Sequence, residues 1–414
     1  MNRRKDSDDA LLPRSAIVLG AGVVGVATAY ALAIRGVEVT IIDRGEIAGS
    51  GASFANGAQL SYIYTDALAS NSLLKRLPFL ALGLDPAFRL RPSLDPSQIA
   101  WFMRFIRNCT RQRFLENSLE GLQLGLESQL AMRALLQKHN IEFGHQSAGK
   151  MLVYDDAVAF KSACDMVSLR QSHGAVQEIL TPQEAVNKEG ALAERAGRFV
   201  GAIYSPQEEL GDPHKFCNAL LSQLVTTYNV QVRMATDVAR WKADKDMAVV
   251  FTKTGEAITA DQLVICTGID AANLLKKHGL GTSLMPMKGY SFTAAPGQVS
   301  PTMSITDVSR KIVFCPLNGM IRVAGIAELG ARDTSVDPRQ LASLVSAASD
   351  VLPRAANYAA SYNGWAGIRP MTANALPIIR KLAPRVTINI GHGMLGWTYA
   401  MGSAERAAQL LGRV

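Results

Sequence analysis

A chain of 414 residues is long enough for two or three domains, each with a full hydrophobic core. Its 48% apolar and 19% charged residues belong to a globular protein and exclude a disordered one. The net charge of +8 favours anionic partners, such as acidic substrates, phosphates or an anionic membrane surface; no recognition motif accompanies it, so nucleic acid is not an expected partner.

Met1 to Arg14 is charged and has no apolar core segment, so it reads as an N-terminal extension and not as a secretory signal. The expected location is therefore the cytoplasm. Ala16 to Ile34 is uncharged and about as long as a membrane span. Its first half carries Gly20, Gly22 and Gly25, which suit a tight turn, so the segment reads as strand, turn and helix. Val37 to Ile42 is a second apolar strand ending at Asp43, and the three pieces form a β-α-β unit opening a parallel sheet.

Residues 65 to 200 read as largely helical, with a long run at Ser118 to Lys138. Just before it, Ile99, Phe102, Met103 and Ile106 share one helical face, with Arg104, Arg107 and Arg111 on another. That pattern fits a core-packed helix or an amphipathic helix lying on anionic lipid. The five cysteines are at least forty-nine residues apart. No metal-ligand spacing exists, and dispersed thiols suit a reducing compartment. Gln262 to Cys266 reads as another strand, residues 284 to 330 alternate as antiparallel strands, and Val386 to Ile390 precedes a last helix, Gly402 to Leu411.

The fold class expected is α/β. A discontinuous Rossmann-like cofactor domain (15–64, 201–283 and 365–414) should carry a mixed α+β substrate-binding domain (65–200 and 284–364).

Gly20-Ala21-Gly22-Val23-Val24-Gly25 satisfies G-x-G-x-x-G after a strand (Val18, Leu19) and before a helix. The first glycine permits the turn, the second lets pyrophosphate approach, and the third lets helix and strand pack closely. Asp43, eighteen residues beyond Gly25, is placed to accept from ribose hydroxyls, with Arg44 beside it. Two later features favour FAD over NAD. Cys266-Thr267-Gly268 looks like a second flavoprotein signature. Gly391-His392-Gly393-Met394-Leu395-Gly396-Trp397-Thr398 is a glycine-rich turn opening a helix, suited to directing amides at a flavin carbonyl.

Ser53-Phe54-Ala55-Asn56-Gly57-Ala58-Gln59-Leu60-Ser61 resembles the flavin-facing loop of bacterial D-amino acid dehydrogenase small subunits. Pro286 to Ser291, Gly364 to Thr372, Trp101 to Thr110 and the Gly391 to Thr398 turn are similar too, so the likeness spans almost the whole chain after residue 15. It implies non-covalent FAD, oxidation of D-amino acids to 2-oxo acids and ammonia, and electron delivery to a respiratory quinone or similar acceptor. Relatives that attach flavin covalently use a cysteine in the last turn, where this chain has Met394 and Leu395. It also implies cofactor contacts at Ser53, Asn56, Gly57, Gln59 and Val238, and membrane association. The chain departs from the family at Tyr62-Ile63-Tyr64, Ala373-Asn374-Ala375 and Arg380, which leaves a D-hydroxyproline or other secondary-amine dehydrogenase open. A glycine- or sarcosine-type oxidase and an electron-relay subunit are further alternatives.

Hydride transfer to a flavin needs positioning more than acid–base machinery. Arg369, read as following a Gly-x-x-Gly turn and preceding Pro370, is the candidate for holding a substrate carboxylate bidentately. Tyr290 is a candidate second donor to that carboxylate, His392 a candidate base, and Tyr62 and Tyr64 candidate pocket walls.

Overall fold

A computed structural model describes residues 12–71, 73–74, 79, 85, 87–91, 93, 95–279, 281, 284–360 and 362–411. Most of the expected N-terminal extension, residues 1–11, lies outside them.

The first layer is a six-stranded sheet in the order Ile378–Ala383, Val386–Ile390, Gln262–Ile265, Ser15–Leu19, Glu38–Ile42, Gln231–Arg233. All neighbours are parallel except the Ile378–Ala383 edge. The inner strands read as unbroken apolar runs because both faces are covered. Ala16 and Val18 join one core with the helix Val23–Ala33 (α1), while Ile17 and Leu19 join another with Trp241 and Val250 of a three-stranded antiparallel sheet. Residues all round α1 are buried, because the C-terminal helix Gly396–Leu411 packs on its outer side. That last helix begins six residues earlier than expected, directly from the glycine-rich turn.

The second layer is a nine-stranded sheet in the order Asn363–Met371, Met285–Ala294, Met320–Leu329, Ile312–Leu317, Ser304–Asp307, Lys150–Tyr154, Gly201–Ser205, Glu178–Leu180, with Phe88–Leu90 paired to Met320–Leu329. Residues 65–200 accordingly supply three of its strands besides their helices. Lys150–Tyr154 is buried at every position, so it lacks the alternation that marks a half-exposed strand. The sheet also redraws the expected domain division: Gly201–Ser205 and Asn363–Met371 pair here and not with the nucleotide sheet. Both segments follow loops and pair with strands far away in sequence, which local pattern does not reveal.

A short ribbon, Gln59–Leu60 with Glu209–Leu210, bridges the layers. The helices Pro96–Asn108 (α2) and Arg111–Lys138 (α3) complete the cover, α3 packing on the C-terminal helix.

Candidate active site

Strand Ser15–Leu19 ends in a turn whose glycines are fixed by contact. Gly20 adopts φ +105°, and a β-carbon there would stand 2.6 Å from the Cys266 carbonyl oxygen. A β-carbon on Gly25 would collide with the Gly20 carbonyl, so α1 could not lie so close to the strand. Val18 and Leu19 support the turn from below, with the Leu19 carbonyl accepting from Cys266 N at 2.8 Å. Asp43 clamps the turn from the neighbouring strand end, accepting from Ala21 N at 2.6 Å and from Gly45 N at 2.7 Å. Gly22 is the N-cap of α1 and brings no side-chain cap; Val23 N donates to Ser53 Oγ at 3.2 Å, and Val24 is half-buried beside it.

Across the sheet, Thr267 Oγ1 is buried and has no hydrogen-bond partner among the described residues, next to Gly268 at φ +56°. Leaving a buried hydroxyl unsatisfied is costly, so its place beside the glycine turn suits a polar ligand group. Arg44 instead reaches over the turn to Asp270, at 2.7 Å. Val238 opens the three-stranded sheet and pairs with Thr252, one layer outside Asp43. An FAD fits this cradle: the amides at the start of α1 not taken by Asp43 and Ser53 would face its phosphates, and Asp43 and Thr267 would offer polar groups on either side.

The loop from Ser53 to Ser61 crosses from α1 to the second sheet. Asn56 Oδ1 accepts from Ala58 N at 2.9 Å and shapes the bend, while Gly57 lies against Ala324 and Val313. Ser291 Oγ donates to the Ala55 carbonyl. Gln59 turns its amide into the sheet, toward Ser304 and Thr306. Lys150 Nζ donates to Gln59 Oε1 at 3.2 Å and Ser61 Oγ at 2.7 Å. Ser61 N in turn donates to Thr398 Oγ1 at 3.0 Å, tying the loop to the glycine-rich turn.

That turn packs on the end of the Arg369 strand. Met371 and His392 form an isolated antiparallel bridge, and Gly391 and Gly393, both at positive φ, lie against Thr372 and Met371. Met394 projects outward, with Leu395 half-buried and Gly396 starting the helix. Trp397 points the other way, into the core, and its Nε1 donates to the Gly211 carbonyl at 3.2 Å.

Arg369 lies within the continuous strand Asn363–Met371, so no Gly-x-x-Gly turn precedes it. The glycines there serve packing: a β-carbon at Gly364 would meet Leu341, and one at Gly367 would meet Trp365. Pro370 is tolerated because the strand is an edge. The Arg369 side chain leans across to Gly289, whose absent β-carbon would stand 2.6 Å from Cζ. Burial pushes the guanidinium down to about 10, which leaves it charged at neutral pH. No carboxylate among the described residues pairs with it.

Tyr290 is not brought to Arg369. Strand side chains alternate between faces, and Arg369 leans over Gly289, the neighbour of Tyr290. Tyr290 therefore points to the opposite face, where its hydroxyl donates to Glu328 Oε1 at 3.1 Å. His392 is buried, shares a 2.9 Å hydrogen bond between Nε2 and Ser403 Oγ, and is pushed down to about 3 by burial, so the ring is neutral. It braces the turn against the last helix. Tyr62 is fully buried with its hydroxyl donating to Glu209 Oε2 at 3.0 Å, and Tyr64 lies under Lys150; both are structural neighbours of the loop. Lys150, Ser291 and Trp365 were not singled out by the sequence. For Trp365 the signal existed: Trp-x-Gly-x-Arg on a strand places all three on one face.

The family model described as FAD dependent oxidoreductase matches residues 15–410. The chain is 38% identical over 408 residues to D-amino acid dehydrogenase 2 of Ralstonia nicotianae, covering 96% of each. It is 34% identical over 402 residues to D-amino acid dehydrogenase 2 of Pseudomonas aeruginosa, covering 96% of this chain and 94% of that one. Among solved structures, glycine oxidase from Geobacillus kaustophilus superposes with a TM-score of 0.75 at 22% identity, covering 97% of this chain and 95% of that chain. L-proline dehydrogenase from P. horikoshii superposes at 0.73 with 18% identity, covering 97% and 94%. The chain belongs to the FAD-dependent oxidoreductase family, is an enzyme of that class, and groups by sequence with proteins named D-amino acid dehydrogenase.

Proposed function

We propose that this enzyme oxidises D-α-amino acids to 2-oxo acids and ammonia and passes the electrons to a quinone-type acceptor. The observation carrying this reading is Arg369: a desolvated guanidinium without a carboxylate partner among the described residues, beside the strand end that meets the glycine-rich turn. Such a cation is stabilised by an anionic ligand, and its fork suits an α-carboxylate. The names of the relatives supply the D-configuration and the dehydrogenase class.

The Gly20–Gly25 cradle would hold FAD non-covalently, and the bound flavin would supply the hydride-accepting chemistry. The protein's part is placement. Arg369 fixes the carboxylate; the Ala55–Gln59 loop and the Gly391–Thr398 turn close the site from two sides; the neutral His392 holds that turn and carries no charge at neutral pH. Water hydrolyses the imino acid afterwards.

A contact with the membrane surface is part of the proposal. Trp101 and Phe105 of α2 face the core, whereas Ile99, Met103 and Ile106 are exposed at 49%, 52% and 42%. No helix among the described residues is long and apolar enough to cross a membrane, so such contact is peripheral.

The test is anaerobic mixing of the purified yellow protein with D- and L-forms of the same amino acids. Bleaching of the flavin by D-forms alone is expected. Bleaching by neither, or equally by both, would overturn the reading. Oxygen uptake without added quinone or dye would move the enzyme to the oxidase class.

A further inference from the structure

We propose that Trp365 is the specificity-determining wall of the substrate pocket and selects D-amino acids with apolar side chains. The inference rests on the reading of Arg369 as the carboxylate anchor. Trp365, Gly367 and Arg369 alternate along one strand and share a face. Gly367 pairs directly with Gly289 of the neighbouring strand. The space left by each missing β-carbon is filled by a side chain: the Arg369 guanidinium over Gly289, and the Cζ2–Cη2 edge of the Trp365 indole over Gly367. Opposed β-carbon positions on one face of an antiparallel pair are about 5 Å apart. The cation and the indole edge therefore lie side by side on a glycine floor.

The same face carries Ser291, the cross-strand partner of Trp365, whose hydroxyl holds the Ala55 carbonyl of the covering loop. Met287, the partner of Arg369, is fully buried and offers no contact surface. Trp365 is only half-buried, in contrast to Met287. A substrate with its carboxylate on Arg369 has its α-carbon one bond further on, within reach of the indole. An apolar side chain laid on that ring leaves water, whereas a charged one loses hydration without a partner.

The test is kcat/KM for D-alanine, D-leucine, D-phenylalanine and D-glutamate with the parent, Trp365→Ala and Trp365→Phe, with FAD content and Tm measured alongside. Trp365→Ala should lower the values for D-leucine and D-phenylalanine roughly 10- to 50-fold, mainly through KM, and that for D-alanine less than about threefold. Trp365→Phe should restore most of the loss. An equal loss for all substrates in both variants would return Trp365 to a packing role, and unchanged ratios would overturn the proposal. Failure of the parent to oxidise any D-amino acid would instead overturn the assignment of the reaction itself.

Discussion

Arg369 and Gly289 act as one unit, because the guanidinium occupies the volume that any larger residue at 289 would need. Gly289→Ala should swing the guanidinium aside at little cost in stability, since the displaced group is the end of a flexible side chain. We expect kcat/KM for D-amino acids to fall roughly 10- to 100-fold, with Tm within about 2 °C of the parent. Parental turnover in a variant that binds FAD normally would contradict the placement. His392 gives a second residue-scale prediction. Its folded pKa, about 3, lies below the ordinary 6.5 because burial penalises the charged ring. Between those values the unfolded chain binds a proton that the fold does not, so stability declines as pH falls, by about 1.4 kcal/mol per unit from this group. Denaturant titrations of parent and His392→Gln across that window should show the shallower slope in the variant; equal slopes would contradict a neutral buried ring. At this scale Arg369 drew notice through Gly364, Gly367 and Pro370 around it, although those residues belong to a strand and not to the expected turn. The opposite orientation of Tyr290 was not, because it depends on which face the sheet covers.

The elements best read in advance were those whose chemistry is local. Gly20, Gly22, Gly25 and Asp43 announce the first strand, turn and helix, since each has a steric or electrostatic task within a short span. Lys150–Tyr154 and Gly201–Ser205 escaped, because their partners lie far along the chain and their burial erases alternation. Helix α2 was read correctly as amphipathic, but its core face is Trp101 and Phe105, leaving Ile99, Met103 and Ile106 outside. Replacing Ile99 and Met103 with Gln should reduce sedimentation with anionic liposomes at low salt about tenfold or more, without changing turnover of a soluble dye acceptor. Liposome binding equal to the parent's would remove α2 as the contact, and no lipid-dependent pelleting of the parent would remove the contact altogether.

At the scale of the whole molecule, two sheets of different character meet at one loop and one turn. The parallel sheet presents the cofactor cradle, and the mixed sheet presents Arg369. Ser291 to Ala55, Lys150 to Ser61 and Ser61 to Thr398 are the bonds that hold these surfaces in register. Local sequence pattern revealed the two folds but not this junction, which exists only once distant strands have paired. The proposed carboxylate site on Arg369 at this junction is tested by steady-state kinetics of Arg369→Met and Arg369→Lys. Breaking a desolvated charge pair from one side costs about 3–5 kcal/mol, so the Met variant should lose roughly two to three and a half powers of ten in kcat/KM for D-amino acids. The Lys variant should recover part of that loss, with FAD content and Tm near the parent's in both. Near-parental kcat/KM in the Met variant would contradict the account.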